Sequence, residues 1–302
     1  HAVKVSNDGI VYVADRTYRR LQTFTLDGKH LRQVVLRNDG DVAPVPAGFA
    51  FSPDPKQQFL YVVDSGPMRI VDLLRHTSGL TYGLQQRTNV DAAYRKFGYG
   101  DPAGASTLDA MIEGLAKIPL EASPGDVWNY SVSTDVLGYL VGKVSGVSFE
   151  EFLRQRIFAP LGMVDTGFHV PAEKASRLAA CYVATPDGRM QLQDDPHTSK
   201  FLRAPTFVSG GGGLVSTTAD YLRFCRMLLN GGVLGDTRLL SPKTVELMTA
   251  NHLPGGKELP EMSVSLFSEA GYSGVGFGLG FSVTTNPARS LIPGSVGDFS
   301  WG

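Results

Sequence analysis

Two hydrophobic periods run along this chain, and they change over near Ser65. Before it, the period is two. Gly9-Ile10-Val11-Tyr12-Val13-Ala14-Asp15 follows a turn at Asn7-Asp8-Gly9 and predicts a short strand. Leu21 to Leu26 alternates apolar with polar and ends at Asp27-Gly28, and Leu31 to Leu36 predicts the next strand. Phe59-Leu60-Tyr61-Val62-Val63-Asp64 repeats Val11 to Asp15 at an offset of 49 residues. From Ile70 the period becomes helical. Ile70, Val71, Leu73 and Leu74 begin a helix that His76-Thr77-Ser78-Gly79 ends. Ser106 with Asp109 forms a capping-box pattern ahead of a stripe of Leu108, Met111, Ile112, Leu115 and Ile118. Val136, Leu137, Leu140, Val141 and Val144 give another apolar face, capped by Ser133 or Thr134 and stopped at Gly146. Ser148 opens a helix through Ile157, Thr217 opens one to Leu229, and Ser241-Pro242 starts a third. Val275 to Thr284 alternates as a strand, and Gly297 to Gly302 begins the next.

Composition narrows the class. The chain has 302 residues, 42% hydrophobic and 19% charged, with a net charge of −1. That profile suits one large or two medium globular domains. Near-neutral charge gives no argument for a nucleic-acid partner or an anionic membrane. No apolar run reaches the length that spans a bilayer. Cys181 and Cys225 sit outside any Cys-x-x-Cys pattern and are expected as buried thiols. The six histidines are scattered, with no His-Glu-x-x-His, so neither a metal site nor a cofactor is assigned. The first residue is His1, no signal peptide is visible, and the sequence assigns neither a compartment nor an oligomeric state.

The richest stretch runs from Pro124 to Gly146. Pro124-Gly125-Asp126 is turn chemistry, and Trp128-Asn129-Tyr130-Ser131 is an aromatic and polar cluster just before a helix. By itself the cluster leaves two readings of Tyr130 open: a core tyrosine with a satisfied hydroxyl, or one whose hydroxyl points into a cleft. P-G-x-x-W-N-Y-S-V-S-T-D-V-L-G resembles the second motif of the serine hydrolases of the class C β-lactamase, penicillin-binding protein and family VIII carboxylesterase group. Asp72 to Leu80, D-L-L-R-H-T-S-G-L, resembles another motif of that group. Gly210 to Phe224 resembles its glycine loop and the helix that follows.

The resemblance covers residues 67–302. It implies an α+β, β-lactamase/transpeptidase-like fold: an antiparallel sheet flanked by helices, plus a helical subdomain carrying Tyr130. It implies Tyr130 as a catalytic residue, and Ser131, Trp128, Gly211, Gly212 and Trp301 as substrate-binding residues. The substrate it implies is a small-molecule ester or β-lactam, met in a main cleft lined by Tyr130. Val132, at a position often asparagine in the lactamases, leans toward the esterases. The V-Y-V-A-D…R-R-L-Q-T-F-T-L-D-G-K pattern of residues 1–66 resembles an NHL-type β-propeller blade. The chain is thus expected to join a blade-like segment, residues 1–66, to a serine hydrolase domain, residues 67–302, incomplete at both ends.

The group's nucleophile lies in Ser-x-x-Lys, where one helical turn brings the amine to the hydroxyl. None of the ten lysines has serine three residues before it, and no Gly-x-Ser-x-Gly occurs. The chain stops at Trp301-Gly302, inside a stretch that resembles the esterases' approach to W-G-G. Ser78, two residues from His76, resembles a structural turn of the family. Gly210 to Gly213 lacks the strand–glycine–helix context of a dinucleotide loop. Three readings follow: a hydrolase of the carboxylesterase or β-lactamase type, inactive in this chain; a non-catalytic acyl or β-lactam binder; and a propeller-type interaction module.

Overall fold

The computed structural model describes residues 2–15, 20–35, 46–51, 60–64, 70–98, 107–264 and 273–301. It opens on a four-stranded antiparallel meander, in spatial order β1 Ala2–Val5, β2 Val11–Asp15, β3 Arg20–Phe24 and β4 His30–Val35. The turns predicted at Asn7-Asp8-Gly9 and Asp27-Gly28 are present, with Gly9 and Gly28 at φ of 79° and 89°, where a side chain would be strained. β1 carries no turn signal before it and is not foreseen by the pattern. Ala14 pairs with Leu21 across β2 and β3, and both are buried. β5 Pro46–Phe51 pairs antiparallel with β6 Leu60–Asp64 and lies beside β1 and β2. The expected boundary at Ser65 to Met68 lies outside the described residues.

The helical part starts with α1 Ile70–Leu74, α2 Asn89–Phe97 and α3 Leu108–Leu115. The cap of α3 is Thr107, whose hydroxyl accepts from the Ala110 amide at 3.1 Å; the expected cap, Ser106, lies outside the described residues. α4 spans Ser133–Ser145 and ends at Gly146 in the left-handed region. Its N-cap position is Val132, whose side chain can accept no hydrogen bond; the expected caps, Ser133 and Thr134, lie inside the helix instead. Leu73, Leu80, Tyr82, Tyr94, Met111 and Val132 form the core that joins these elements.

Beyond it, α5 Phe149–Leu153 starts at the Ser148 cap and winds through a π-turn, Arg154–Phe158, into α6 Ala159–Leu161. α7 Thr218–Leu229 begins at Thr217, whose hydroxyl accepts from the Asp220 amide at 3.2 Å. Phe158, Leu161 and Met163 pack with Met227 and Leu228 as a second core. Between them the hairpin β7 Cys181–Ala184 and β8 Met190–Asp194 projects with most of its residues exposed. This corrects the cysteine expectation. Both thiols are free and exposed: Cys181 sits on that hairpin, and Cys225 lies on α7.

The chain then forms the small pair β9 Val233–Leu234 and β10 Thr237–Arg238, followed by α8 Pro242–Met248 and α9 Leu259–Met262. The expected single strand over residues 275–284 is two, β11 Val275–Phe277 and β12 Ser282–Thr284. Gly278 donates to the Phe281 carbonyl at 2.7 Å and Gly280 takes φ of 96°, so the alternation continues across a turn instead of along one strand. After α10 Pro287–Ser290, β13 Phe299–Ser300 completes a three-stranded antiparallel sheet on β12. A third core gathers Trp128, Leu253, Leu259, Met262, Val275 and Phe277. Among the described residues, the closely packed element pairs fall within residues 2–64 or within residues 70–301. No described helix is long and apolar enough to cross a membrane.

Candidate active site

The first motif is a scaffold. Asp72 accepts from Arg75 Nη2 at 2.6 Å and from the Thr77 hydroxyl at 3.0 Å, and all three side chains are buried. Arg75 Nη1 donates to the His252 carbonyl at 2.6 Å. This network holds a tight turn in which His76 has φ of 57°, a strained value for a residue with a side chain. Gly79 follows at φ of 82°, where an added Cβ would stand 2.1 Å from the Ala122 carbonyl. The turn then receives the second motif: Gly125 N donates to the Thr77 carbonyl at 2.7 Å, and Asn129 N to the His76 carbonyl at 2.9 Å. The Asn129 amide group bridges the Leu80 carbonyl and Glu121, both at 3.0 Å, and accepts from Arg87 at 3.2 Å. Tyr130 is therefore presented on a segment fixed at both edges.

Its ring is half-buried in an aromatic group. Ring centres lie 4.9 Å from His76, 5.2 Å from Tyr82 and 5.3 Å from Trp301. Trp301 stands edge-on to Phe277 at 5.2 Å, and Phe277 lies 5.3 Å from Trp128. These are the separations at which aromatic pairs attract. Burial lowers the His76 pKa to about 3, so its imidazole is neutral at physiological pH. Burial first, then the Asp135 carboxylate, pushes the Tyr82 phenol well above the ordinary tyrosine range.

The glycine loop docks on the first turn of α4. Asp135 Oδ1 accepts from Ser209 Oγ at 2.5 Å and from Gly211 N at 3.2 Å. Burial raises the Asp135 carboxyl, and these hydrogen bonds oppose the rise. Gly210 lies so close that a Cβ would come 2.0 Å from the Thr134 carbonyl; at Gly211 it would meet the Tyr82 hydroxyl at 2.9 Å. Gly212 faces open space.

The residues singled out from the sequence thus separate into three positions. Tyr130 and Trp301 share the half-buried aromatic group, with Gly211 reaching it through Tyr82. Trp128 and Ser131 are fully buried behind it. Gly212 points away. Ser131, Ser133 and Ser78 form a buried chain of hydroxyls at 2.8 and 2.7 Å. Ser78 is therefore occupied by Ser133, while the His76 ring packs on aromatic rings. Four cavities of about 360 to 530 Å³ among the described residues are lined by residues other than Tyr130.

Tyr82, Phe277, Asp135 and Ser209 were not singled out from the sequence. Two of them left a signal: Tyr82 lies just past H-T-S-G-L, and Asp135 lies within S-V-S-T-D. Chemically, the group offers a phenol, a neutral imidazole and a buried carboxyl around one aromatic wall. Among the described residues it holds no serine hydroxyl bonded to a lysine or histidine.

Residues 45–297 match the family described as Beta-lactamase. An uncharacterized protein of Mycobacterium tuberculosis is 38% identical over 237 residues, covering 77% of this chain and 56% of that protein. Esterase EstB of Burkholderia gladioli is 30% identical over 247 residues, covering 76% of this chain and 58% of the esterase. Among solved structures, EstCE1, a hydrolase with promiscuous acyltransferase activity, superposes with a TM-score of 0.62 at 28% identity, covering 76% of this chain and 60% of EstCE1. The chain thus spans little more than half the length of the curated relatives it matches. The α+β architecture of the matched region is of the β-lactamase/transpeptidase type, and the chain belongs to the Beta-lactamase family.

Proposed function

We propose that residues 67–302 carry the tyrosine wall of a serine hydrolase of the carboxylesterase type, acting on small esters or β-lactam amides through an acyl-enzyme. The observation that carries this reading is the placement of the Tyr130 phenol among His76, Tyr82 and Trp301, beside a glycine loop fastened to α4 through Asp135. In that role Tyr130 takes a proton from the attacking hydroxyl and returns it to the leaving group. Gly211 brings its backbone to the same wall, and Val132 favours esters over lactams. Trp128 and Ser131, both buried, support the wall from behind.

The chain as it stands is proposed to lack turnover, because it contains no Ser-x-x-Lys pair. Loss of such a nucleophile costs on the order of a millionfold in turnover. Hydrolysis of short p-nitrophenyl esters is therefore expected to be the same for the chain and for Tyr130→Phe. Mass spectrometry after incubation with a fluorophosphonate is expected to show no adduct. A serine adduct together with turnover lost in Tyr130→Phe would refute the inactive assignment and name another nucleophile.

The missing pair favours a second reading, a non-catalytic acyl or β-lactam binder. Quenching of Trp301 fluorescence by penicillin in a Trp128→Phe variant, without covalent capture, supports it; an unchanged spectrum removes it. For residues 1–66 we infer a blade-like segment; the four-stranded meander of residues 2–35 supports that reading, while residues 45–66 fall inside the family match. Pull-down with and without residues 1–66 tests whether that segment is an interaction module.

A further inference from the structure

Gln85 is fully buried, 1% exposed, at the end of a short turn of 3-10 helix, Gly83–Gln85. A primary amide in the interior costs free energy unless its donors are used, and an apolar side chain of the same length would fill the space without that cost. The amide is used on Tyr130. Gln85 Nε2 donates to the Tyr130 carbonyl at 3.3 Å, across 45 residues of chain.

Residues 80–85 accompany residues 129–132. The Leu80 carbonyl accepts from Asn129 Nδ2 at 3.0 Å, and the Thr81 carbonyl from Val132 N at 3.4 Å. Gln85 adds the bond to the carbonyl between them. A peptide unit is rigid, so directing that carbonyl sets the backbone torsion at Tyr130 and with it the line along which the side chain leaves. Tyr82 and Gln85 stand three residues apart, one 3-10 turn, and both reach Tyr130: one at its ring, with centres 5.2 Å apart, the other at its carbonyl. The turn itself is docked on α2. Arg95 Nη1 donates to the Gly83 carbonyl at 2.5 Å and to Asp91 Oδ1 at 2.6 Å, and a Cβ on Gly83 would stand 2.9 Å from Arg95 Cγ. Gln86 closes the turn at φ of 51°, a left-handed value that a residue with a side chain holds only where its surroundings impose it.

We propose that Gln85 is a positioning residue for Tyr130: its buried amide, on a turn fixed to α2, holds the Tyr130 carbonyl and so sets the direction of the phenol. The role rests on the hydrolase reading of Tyr130; the placement does not.

NMR of the whole chain, labelled at its tyrosine rings, tests the assignment, with the Tyr130 resonances identified from Tyr130→Phe. Tyr94, fully buried in the same core, is the internal control. Gln85→Met keeps an unbranched side chain and removes the donor. It is expected to displace the Tyr130 ring resonances and to leave those of Tyr94 in place. Gln85→Glu supplies a donor only while its carboxyl is protonated, and burial raises that carboxyl's pKa. Its Tyr130 resonances are expected to match the parent while the carboxyl is protonated and the Met variant once it ionises, a titration that a space-filling role would not produce. Thermal unfolding checks that both variants are folded; if Gln85→Glu is not, the Met variant decides alone. The proposal is overturned if the Tyr130 resonances of Gln85→Met stay with the parent, if Tyr94 moves as far as Tyr130, or if folded Gln85→Glu shows no such titration. Turnover does not enter the measurement, so failure of the hydrolase reading would appear in the ester and fluorophosphonate assays and leave these spectra unchanged.

Discussion

The meander of β1 to β4 and the wall around Tyr130 both start from alternating apolar and polar residues, and they use the alternation differently. In the meander one face is covered at Ala14 and Leu21, while Val3, Val5 and Val34 remain more than half exposed. Its strands pair with their neighbours in sequence across connections of four or five residues. In the wall, Trp128 and Phe277 are completely buried, and their partners arrive from residues 76–82, 253–262 and 301. Alternation is enough to make a strand. Burial requires that distant segments arrive together, and that long-range assembly gives the wall its rigidity.

The largest test of this contrast is Trp128→Ala. Removing a fully buried indole is expected to cost about 3–5 kcal/mol, read from urea unfolding. A loss of the same size from Val3→Ala would erase the distinction between the two regions.

Acidity gives the next largest effect. In the unfolded chain His76 takes a proton near its ordinary pKa of 6.5, whereas in the folded chain it does so only at about 3. Its folded pKa is depressed, so its neutral form is native and no stability is lost above pH 6.5. As pH falls from 6.5 toward 3 the unfolded state binds the extra proton, and stability falls by at most about 1.4 kcal/mol per pH unit. Comparing urea midpoints of the parent and His76→Gln across that window checks the sign; parallel curves would mean that the ring titrates freely.

Glycine positions sharpen the comparison further. Gly210→Ala forces a methyl onto the Thr134 carbonyl and is expected to cost about 1–3 kcal/mol. Gly212→Ala, two residues on, faces open space and is expected to change stability by under about 0.5 kcal/mol in thermal melts. The smallest effect belongs to the meander: Val5→Ala, already half exposed, is expected within about 0.5 kcal/mol of the parent. Equal losses at Gly210 and Gly212 would mean that the loop does not rest on α4.

What could be read from the sequence follows from the range of the forces involved. Thr217 and Ser241 announce their helices because a cap is a bond to an amide three residues away. The motif around Tyr130 is legible for the same reason, since its turn, its aromatic cluster and its helix are contiguous. The hairpin at residues 275–284 was hidden because the two strands continue one alternation through a glycine turn. Phe277 and Ser209 were hidden because each meets the site through tertiary packing. The cysteines misled because their burial depends on which face of α7 and of the hairpin is covered, and composition carries no information about faces.

The Arg75 guanidinium joins two stretches of chain far apart in sequence, Asp72 on one side and the His252 carbonyl on the other. Between them the hairpin turn at residues 186–188 is exposed, a place where the backbone tolerates being opened. Cutting there would yield two pieces, one holding a buried arginine that lacks its distal acceptor and the other holding the unmatched acceptor. Such pieces would restore the bond from Arg75 to the His252 carbonyl only on meeting, which makes the hairpin turn a natural breakpoint for a split reporter whose signal depends on reassociation.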